Sequence, residues 1–224
     1  MNYVFQFGDV FNAWPELLMG ALLTIRLSAM AMAIGLVVAV VCALGKTGGP
    51  RPVRWLVDTY VEVIRNTPFL VQIFLIFFGL PRMGIRLDAN EAALLAMVVN
   101  IGAYATEIVR AGIETIHKGQ IEAGLALGLK PVQVFTYIVI FPALKAIYPA
   151  LTSQFILLML TSSVVSAISA EELTAIANNL QAQTFRSFEI YIVVTAMYLA
   201  MSLMFAAVFE LIYRAVFARS DATR

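Results

Sequence analysis

Residues 26–46 read RLSAMAMAIGLVVAVVCALGK. Between the two cations lie 19 uncharged residues, and a helix needs about 20 predominantly apolar residues to cross the hydrocarbon of a bilayer. This stretch therefore reads as a membrane span. Four further charge-free runs follow, at residues 66–81, 92–106, 146–170 and 190–209. The 224-residue chain is 61% hydrophobic and only 13% charged, with a mean hydropathy of +0.87, a composition outside that of soluble domains. The prediction is an all-α integral membrane protein: one domain of five transmembrane helices over residues 16–44, 58–81, 90–113, 143–169 and 188–213, with a long connector over 115–141.

The second and third runs are shorter than a bilayer, so their helices must extend into flanking turns that carry Asp58, Glu62 and Arg65 on one side and Glu107 and Arg110 on the other. Basic residues sort by connector. Lys46, Arg51, Arg54, Arg65, Arg110, Lys118, Lys130, Lys145, Arg214, Arg219 and Arg224 fall on one side, against Arg82, Arg86 and Arg186 on the other, with Arg26 inside the first span. By the positive-inside rule the N-terminus is outside and the C-terminus cytoplasmic. The first residues carry acids and aromatics but no Lys or Arg, so a retained first helix is expected rather than a cleaved leader.

Net charge is +1, which gives no reason to expect a nucleic-acid partner. Cys42 is the only cysteine, so no internal disulfide forms. The chain has one histidine, His117, and lacks H-E-x-x-H and G-x-S-x-G, which argues against a membrane-embedded hydrolase. No acid lies mid-span and no two halves repeat, which argues against an ion-driven carrier. The methionines, including Met197, Met201 and Met204, read as packing residues, and no metal or cofactor site is assigned to them.

The connector contains GQIEAGLALGLK at residues 119–130. Ile121, Leu125 and Leu129 recur at helical spacing, Gly124 and Gly128 permit close backbone approach, and Pro131 suits the first turn of a new helix. A short helix, a glycine turn and a second helix climbing from Pro131 are predicted. Such a segment fits either an amphipathic connector lying on lipid or a docking element for a protein partner. Its small residues favour the partner.

The run Glu122, Ala123, Gly124, Leu125, Ala126, Leu127, Gly128, followed after nine residues by Ile138, Val139 and Ile140, resembles the EAA loop of binding-protein-dependent ABC importer permeases. It departs at Gly124, where that pattern has alanine, and at Phe141, which stands at the proline position with Pro142 one later. YVEVIRNTPFLVQ at 60–72 and AYATEIVRAGIE at 103–114 are similar to the polar amino-acid subfamily, whereas Leu160 to Ser163 replace a Lys-Asp-Thr-Ser run common in it. The resemblance implies a type I ABC importer permease in a bacterial cytoplasmic membrane, with no cofactor of its own. It also implies contact with a separate ATPase through Glu122, Ala123, Gly124 and Gly128. The missing G-x-x-x-x-G-K-[ST] motif agrees, since Mg-ATP would bind that partner. Further implied partners are a second permease subunit, identical or similar in sequence, an external substrate-binding protein and the surrounding lipid. The solute expected is a polar amino acid; another small polar solute stays open.

Several polar residues fit either helix packing or a solute path. Asn100 and Tyr104 lie on one line of the third span, with Glu107 below them as an expected ion-pair partner of Arg110. Ser162, Ser166 and Ser169 share one face of an ideal α-helix. Arg26 can snorkel to the outer interface or face a cavity and meet a carboxylate. Pro68 is expected to kink or start the membrane part of the second helix.

Overall fold

In a computed structural model, which describes residues 4–217, the chain is built from helices. Arg219 and Arg224, part of the expected basic side, lie outside the described residues. A short turn, α1 (Gly8–Asn12), leads into α2 (Trp14–Gly48), whose 35 residues extend about 52 Å at 1.5 Å per residue. Pro15 occupies its first turn, where no N–H is needed, and Gly49 ends it. The helix is apolar on all sides and presents a stripe of Gly20, Ala21, Thr24, Ser28, Ala31, Gly35, Ala39 and Ala43 to its neighbours. That stripe receives α5 (Ala89–Glu114): a Cβ at Gly35 would collide with Ile101. Without a hydrophobic driving force between helices in lipid, such close approach is what packs them.

The second span is broken. α3 (Arg51–Arg65) ends at Asn66, and after Thr67 and Pro68 the chain turns by 110° into α4 (Phe69–Phe74), a π-turn at Leu75–Gly79 and a 3-10 turn at Leu80–Met83. Pro68 produces the break because the residue before a proline leaves the helical region and the ring lacks an N–H. Gln72 satisfies two of the freed carbonyls: its Nε2 lies 2.8 Å from Ile64 O and 3.0 Å from Thr67 O, with Thr67 Oγ1 at 2.8 Å. The kink anticipated at Pro68 is thus a right-angled interruption in which α3 and α4 form separate pieces.

The chain then enters α5 through a capping box, Asp88 accepting from Glu91 N while Glu91 accepts from Asp88 N. α6 (Lys118–Ala126) and α7 (Pro131–Val134) follow. α7 runs through a π-turn (Phe135–Ile140) into α8 (Phe141–Thr161) and a 3-10 segment (Ser162–Ile168), so the helix that carries the fourth span is continuous from Pro131 to Ile168. Pro142 has no N–H to give Ile138 O, and the helix accommodates it by widening just ahead of it. Lateral packing closes with α9 (Leu173–Thr184) and the fifth span α10 (Ser187–Phe217).

Two polar clusters clamp the bundle at its ends. At the end bearing α6, Lys46 Nζ sits 2.7 Å from both Asp58 and Glu107, and Glu107 also pairs with Arg110 at 2.9 Å, so α2, α3 and α5 share one ionic knot. At the opposite end Glu172 is fully buried, accepting from Tyr198 Oη at 2.6 Å and from Ala175 N at 2.8 Å, with the Thr24 hydroxyl beside it. Burial raises the Glu172 carboxyl above its ordinary range against the opposing hydrogen bonds from Tyr198 and the α9 backbone.

A buried acid with a raised folded value stabilises most at low pH and loses that contribution as pH climbs through its folded value. Glu172→Gln removes the charge, keeps an acceptor oxygen for Ala175 N and turns its amide N–H toward the Tyr198 hydroxyl, which can accept it. Its melting temperature in detergent is expected to gain on wild type as the pH is raised from about 5 to 8, and parallel curves would contradict this. Glu172→Ala, which strands the Ala175 N–H while Tyr198 keeps the Thr174 hydroxyl, should cost about 1–3 kcal/mol at about pH 5.

Candidate functional site

The predicted docking element forms as a helix, a turn and a helix, each locally encoded. α6 starts after His117 in extended conformation and ends at Gly128, whose φ of +82° lies in the left-handed region open to glycine. Gly128 N donates to Leu125 O at 2.9 Å and Leu129 N to Gly124 O at 3.2 Å, the paired bonds of a Schellman cap. Pro131 then opens α7, and Gln133 reaches back to accept from Lys130 N at 2.8 Å. Few rotatable links remain between α6 and the fourth span.

The four residues taken from the EAA resemblance divide by direction. Glu122 and Ala123 are exposed. Gly124 is buried, and a Cβ there would lie 2.5 Å from Ile138 Cδ1 and 3.1 Å from Val134 Cγ2, so its smallness seats α6 on the fourth span of its own chain. Gly128 is exposed with nothing near its missing Cβ, and its part is the turn. The most exposed apolar side chain here is Leu127, 83% accessible, joined by Val132 at 74%. Sequence reading passed over Leu127 because it falls off the 121/125/129 stripe.

The candidate path residues fall into separate places. Asn100 Nδ2 donates to Gln72 Oε1 at 3.0 Å and so belongs to the stitch across the broken span. One turn further along α5, Tyr104 lies under the Arg65 guanidinium, 5.4 Å from ring centroid to Cζ. Both line a hollow of about 430 Å³ between the second, third and fourth spans, with Glu107, Thr115, Ala150 and Gln154 in its wall. Sequence reading had counted Arg65 only as a flanking charge; its signal was the polar run Arg65, Asn66, Thr67 ahead of Pro68.

Ser162 and Ser166 do not share a face as an α-helix would place them, because their segment is a 3-10 helix with three residues per turn. Ser162 is buried and donates to Met159 O at 2.7 Å, whereas Ser166, half-buried, donates to Ser163 O at 2.7 Å. Ser169, in the left-handed region at φ 60°, is exposed beyond them. Arg26 is remote from Tyr104: it lines a hollow of about 200 Å³ at the opposite end, beside Asp88, Asn90 and Glu91. Of the expected methionine face, Met201 is buried and Met204 is exposed. Arg110 pairs with Glu107 as expected, and Lys46 joins them.

Residues 31–220 match the family described as the inner membrane component of binding-protein-dependent transport systems. The chain belongs to this family. It is 34% identical over 212 residues to the glutamine transport system permease protein of Escherichia coli strain K12, covering 94% of this chain and 97% of that one. It is similar also to two Bacillus subtilis strain 168 proteins. The L-cystine transport system permease protein is 38% identical over 71% of this chain and 68% of that one, and the arginine transport system permease protein 34% identical over 82% and 84%. Among solved structures, an amino acid ABC transporter crystallised with histidines matches with a TM-score of 0.86 and 36% identity, over 95% of this chain and all of that one. An inward-facing methionine ABC transporter, 21% identical with a TM-score of 0.76 over 92% and 98%, shares the fold. The architecture is therefore that of type I ABC importer permeases, and the chain is a multi-pass protein of the inner membrane.

A rigid α6 requires Gly124 and Gly128 for different reasons, and the two can be separated. Gly124→Leu should displace α6 from Ile138 and Val134 and lower the melting temperature, at a cost of about 1–3 kcal/mol for overpacking. Gly128→Asn, which tolerates the left-handed region, should be close to neutral while Gly128→Val costs about 1–2 kcal/mol. Equal effects of Asn and Val at Gly128 in thermal unfolding would refute the turn assignment.

Proposed function

We propose that this chain is the membrane-spanning subunit of an ATP-driven importer of polar amino acids, with α6 as the element through which a separate ATPase moves it. The observation that carries the proposal is the capped α6–α7 turn, which is short, stiff and exposed through Glu122, Ala123 and Leu127. A displacement applied to it passes into the fourth span through Gly124 and the Val134–Ile138 contact without being absorbed by a flexible linker. Leu127 supplies the apolar anchor that a pocket on the ATPase would bury.

Charge supports an arrangement with α6 in the cytoplasm. Lys46, Arg51, Arg54, Lys118, Lys130 and Arg214 lie toward the α6 end, against Arg82, Arg86 and Arg186 toward the other. On this reading Mg-ATP binds the partner, and its hydrolysis cycle brings paired coupling helices together and apart. A second permease subunit completes the path, since the hollow at Arg65 and Tyr104 is open on one side. An external binding protein delivers solute to the opposite end. The amino-acid assignment rests on relatives and a structural neighbour whose names give glutamine, L-cystine, arginine and an amino acid transporter.

Leu127→Asp places a charge where an apolar pocket is expected and leaves the chain's own packing untouched. Purified in mild detergent, this variant should retain less than about a tenth of the ATPase subunit recovered by wild type, a loss of roughly 1.4 kcal/mol or more, with unchanged membrane insertion. Undiminished recovery of the ATPase would remove α6 from the coupling role.

A further inference from the structure

The hollow beside the broken span has a wall of unusual composition. Among the described residues, Arg65 makes no ion pair or hydrogen bond; its guanidinium is held only by the face of Tyr104. Neither the Tyr104 hydroxyl nor the Gln154 amide, both half-buried, has a hydrogen-bond partner there either. The wall's one acid, Glu107, is already committed, with Lys46 on one carboxylate oxygen and Arg110 on the other. Thr115 donates its hydroxyl proton to Gly112 O at 2.7 Å, and the rest of the wall is small or apolar, including Ala111, Ala146 and Ala150. The available chemistry is thus one cation and two neutral hydrogen-bonding groups, converging from the second, third and fourth spans.

Depth makes that composition costly unless it is used. Tyr104 lies ten residues before the end of α5, about 15 Å inward from the α6 end at 1.5 Å per residue. A guanidinium at that level of a membrane protein faces a partner or a watered path. Arg65 Cζ lies over the Tyr104 ring, 5.4 Å from its centroid, and its N–H groups have no hydrogen-bond partner among the described residues, so the fork is available to a carboxylate. Further along the fourth span, residues 160–163 read LTSS and carry no charge.

We infer that Arg65, oriented by Tyr104 and assisted by Gln154, is a carboxylate-binding station that holds the α-carboxylate of a solute on its way through the α6 half of the path. The inference rests on the importer reading above. It assigns the recognised feature to the part common to all α-amino acids, which leaves side-chain choice to groups elsewhere. Because a transit station must release its ligand, its hold is a single fork on an otherwise neutral wall.

The test uses the purified permease–ATPase complex in nanodiscs without any external binding protein. Equilibrium binding of L-glutamine and L-arginine is compared with that of their α-amides, and each complex is also scored for uptake in proteoliposomes with the binding protein present. Wild type should prefer acid over amide by about 10- to 100-fold, the range for a charge-assisted pair. Arg65→Gln should reduce that ratio to about one, with partial recovery in Arg65→Lys, which keeps the charge and loses the fork. Arg65→Cys should react with a charged thiol reagent and be protected by L-glutamine; a reactive cysteine that L-glutamine leaves unprotected overturns the inference. An acid-to-amide ratio that is absent in wild type or unchanged in Arg65→Gln, in a complex that still imports amino acids, overturns the station alone. A wild-type complex that imports no amino acid overturns the importer reading on which it rests.

Discussion

Gln72 joins the two halves of the second span. In hydrocarbon no water is available to the carbonyls that a helix break exposes, so the break persists only where protein groups replace the missing bonds. One amide does this, its nitrogen within 3.0 Å of Ile64 and Thr67 and its oxygen accepting from Asn100. The stitch ties the break to α5, so the turned α4, the end of α3 and the third span form one unit. Arg65 sits at the lip of that unit, and the open hollow beside Tyr104 exists because the second span does not run straight past it.

The same economy appears at the bundle's ends. Lys46 gathers Asp58 and Glu107, and Glu107 holds Arg110, so three helices meet at one knot near α6. Glu172 gathers α2, α9 and α10 at the other end through neutral donors. Between them the middle is held by close apolar packing of small residues such as those along α2.

α6 shows how a local rule and a tertiary contact combine. Gly128 and Pro131 announce a turn between two helices from composition alone, because only certain residues fit those backbone positions. Gly124 was legible as a residue allowing close approach, but which surface approaches was not; it is the chain's own Ile138 and Val134. Leu127 was hidden because amphipathic periodicity selects residues that share one face, and this exposed leucine lies off the 121/125/129 stripe.

Sequence by itself determined what hydrocarbon and backbone chemistry dictate: an all-helical membrane protein, the break at Pro68, the glycine turn, and the family through motifs that cover most of the chain. Tertiary structure alone decided where polar side chains point once the helices are broken and narrowed. A 3-10 segment separated Ser162 from Ser166, because its turn holds three residues rather than the 3.6 assumed from periodicity. A right-angled turn carried Arg65 from the count of flanking charges to the face of Tyr104, while Arg26 went to the opposite end. Periodicity predicts neighbours only along an unbroken helix, and this protein places its polar groups at the breaks.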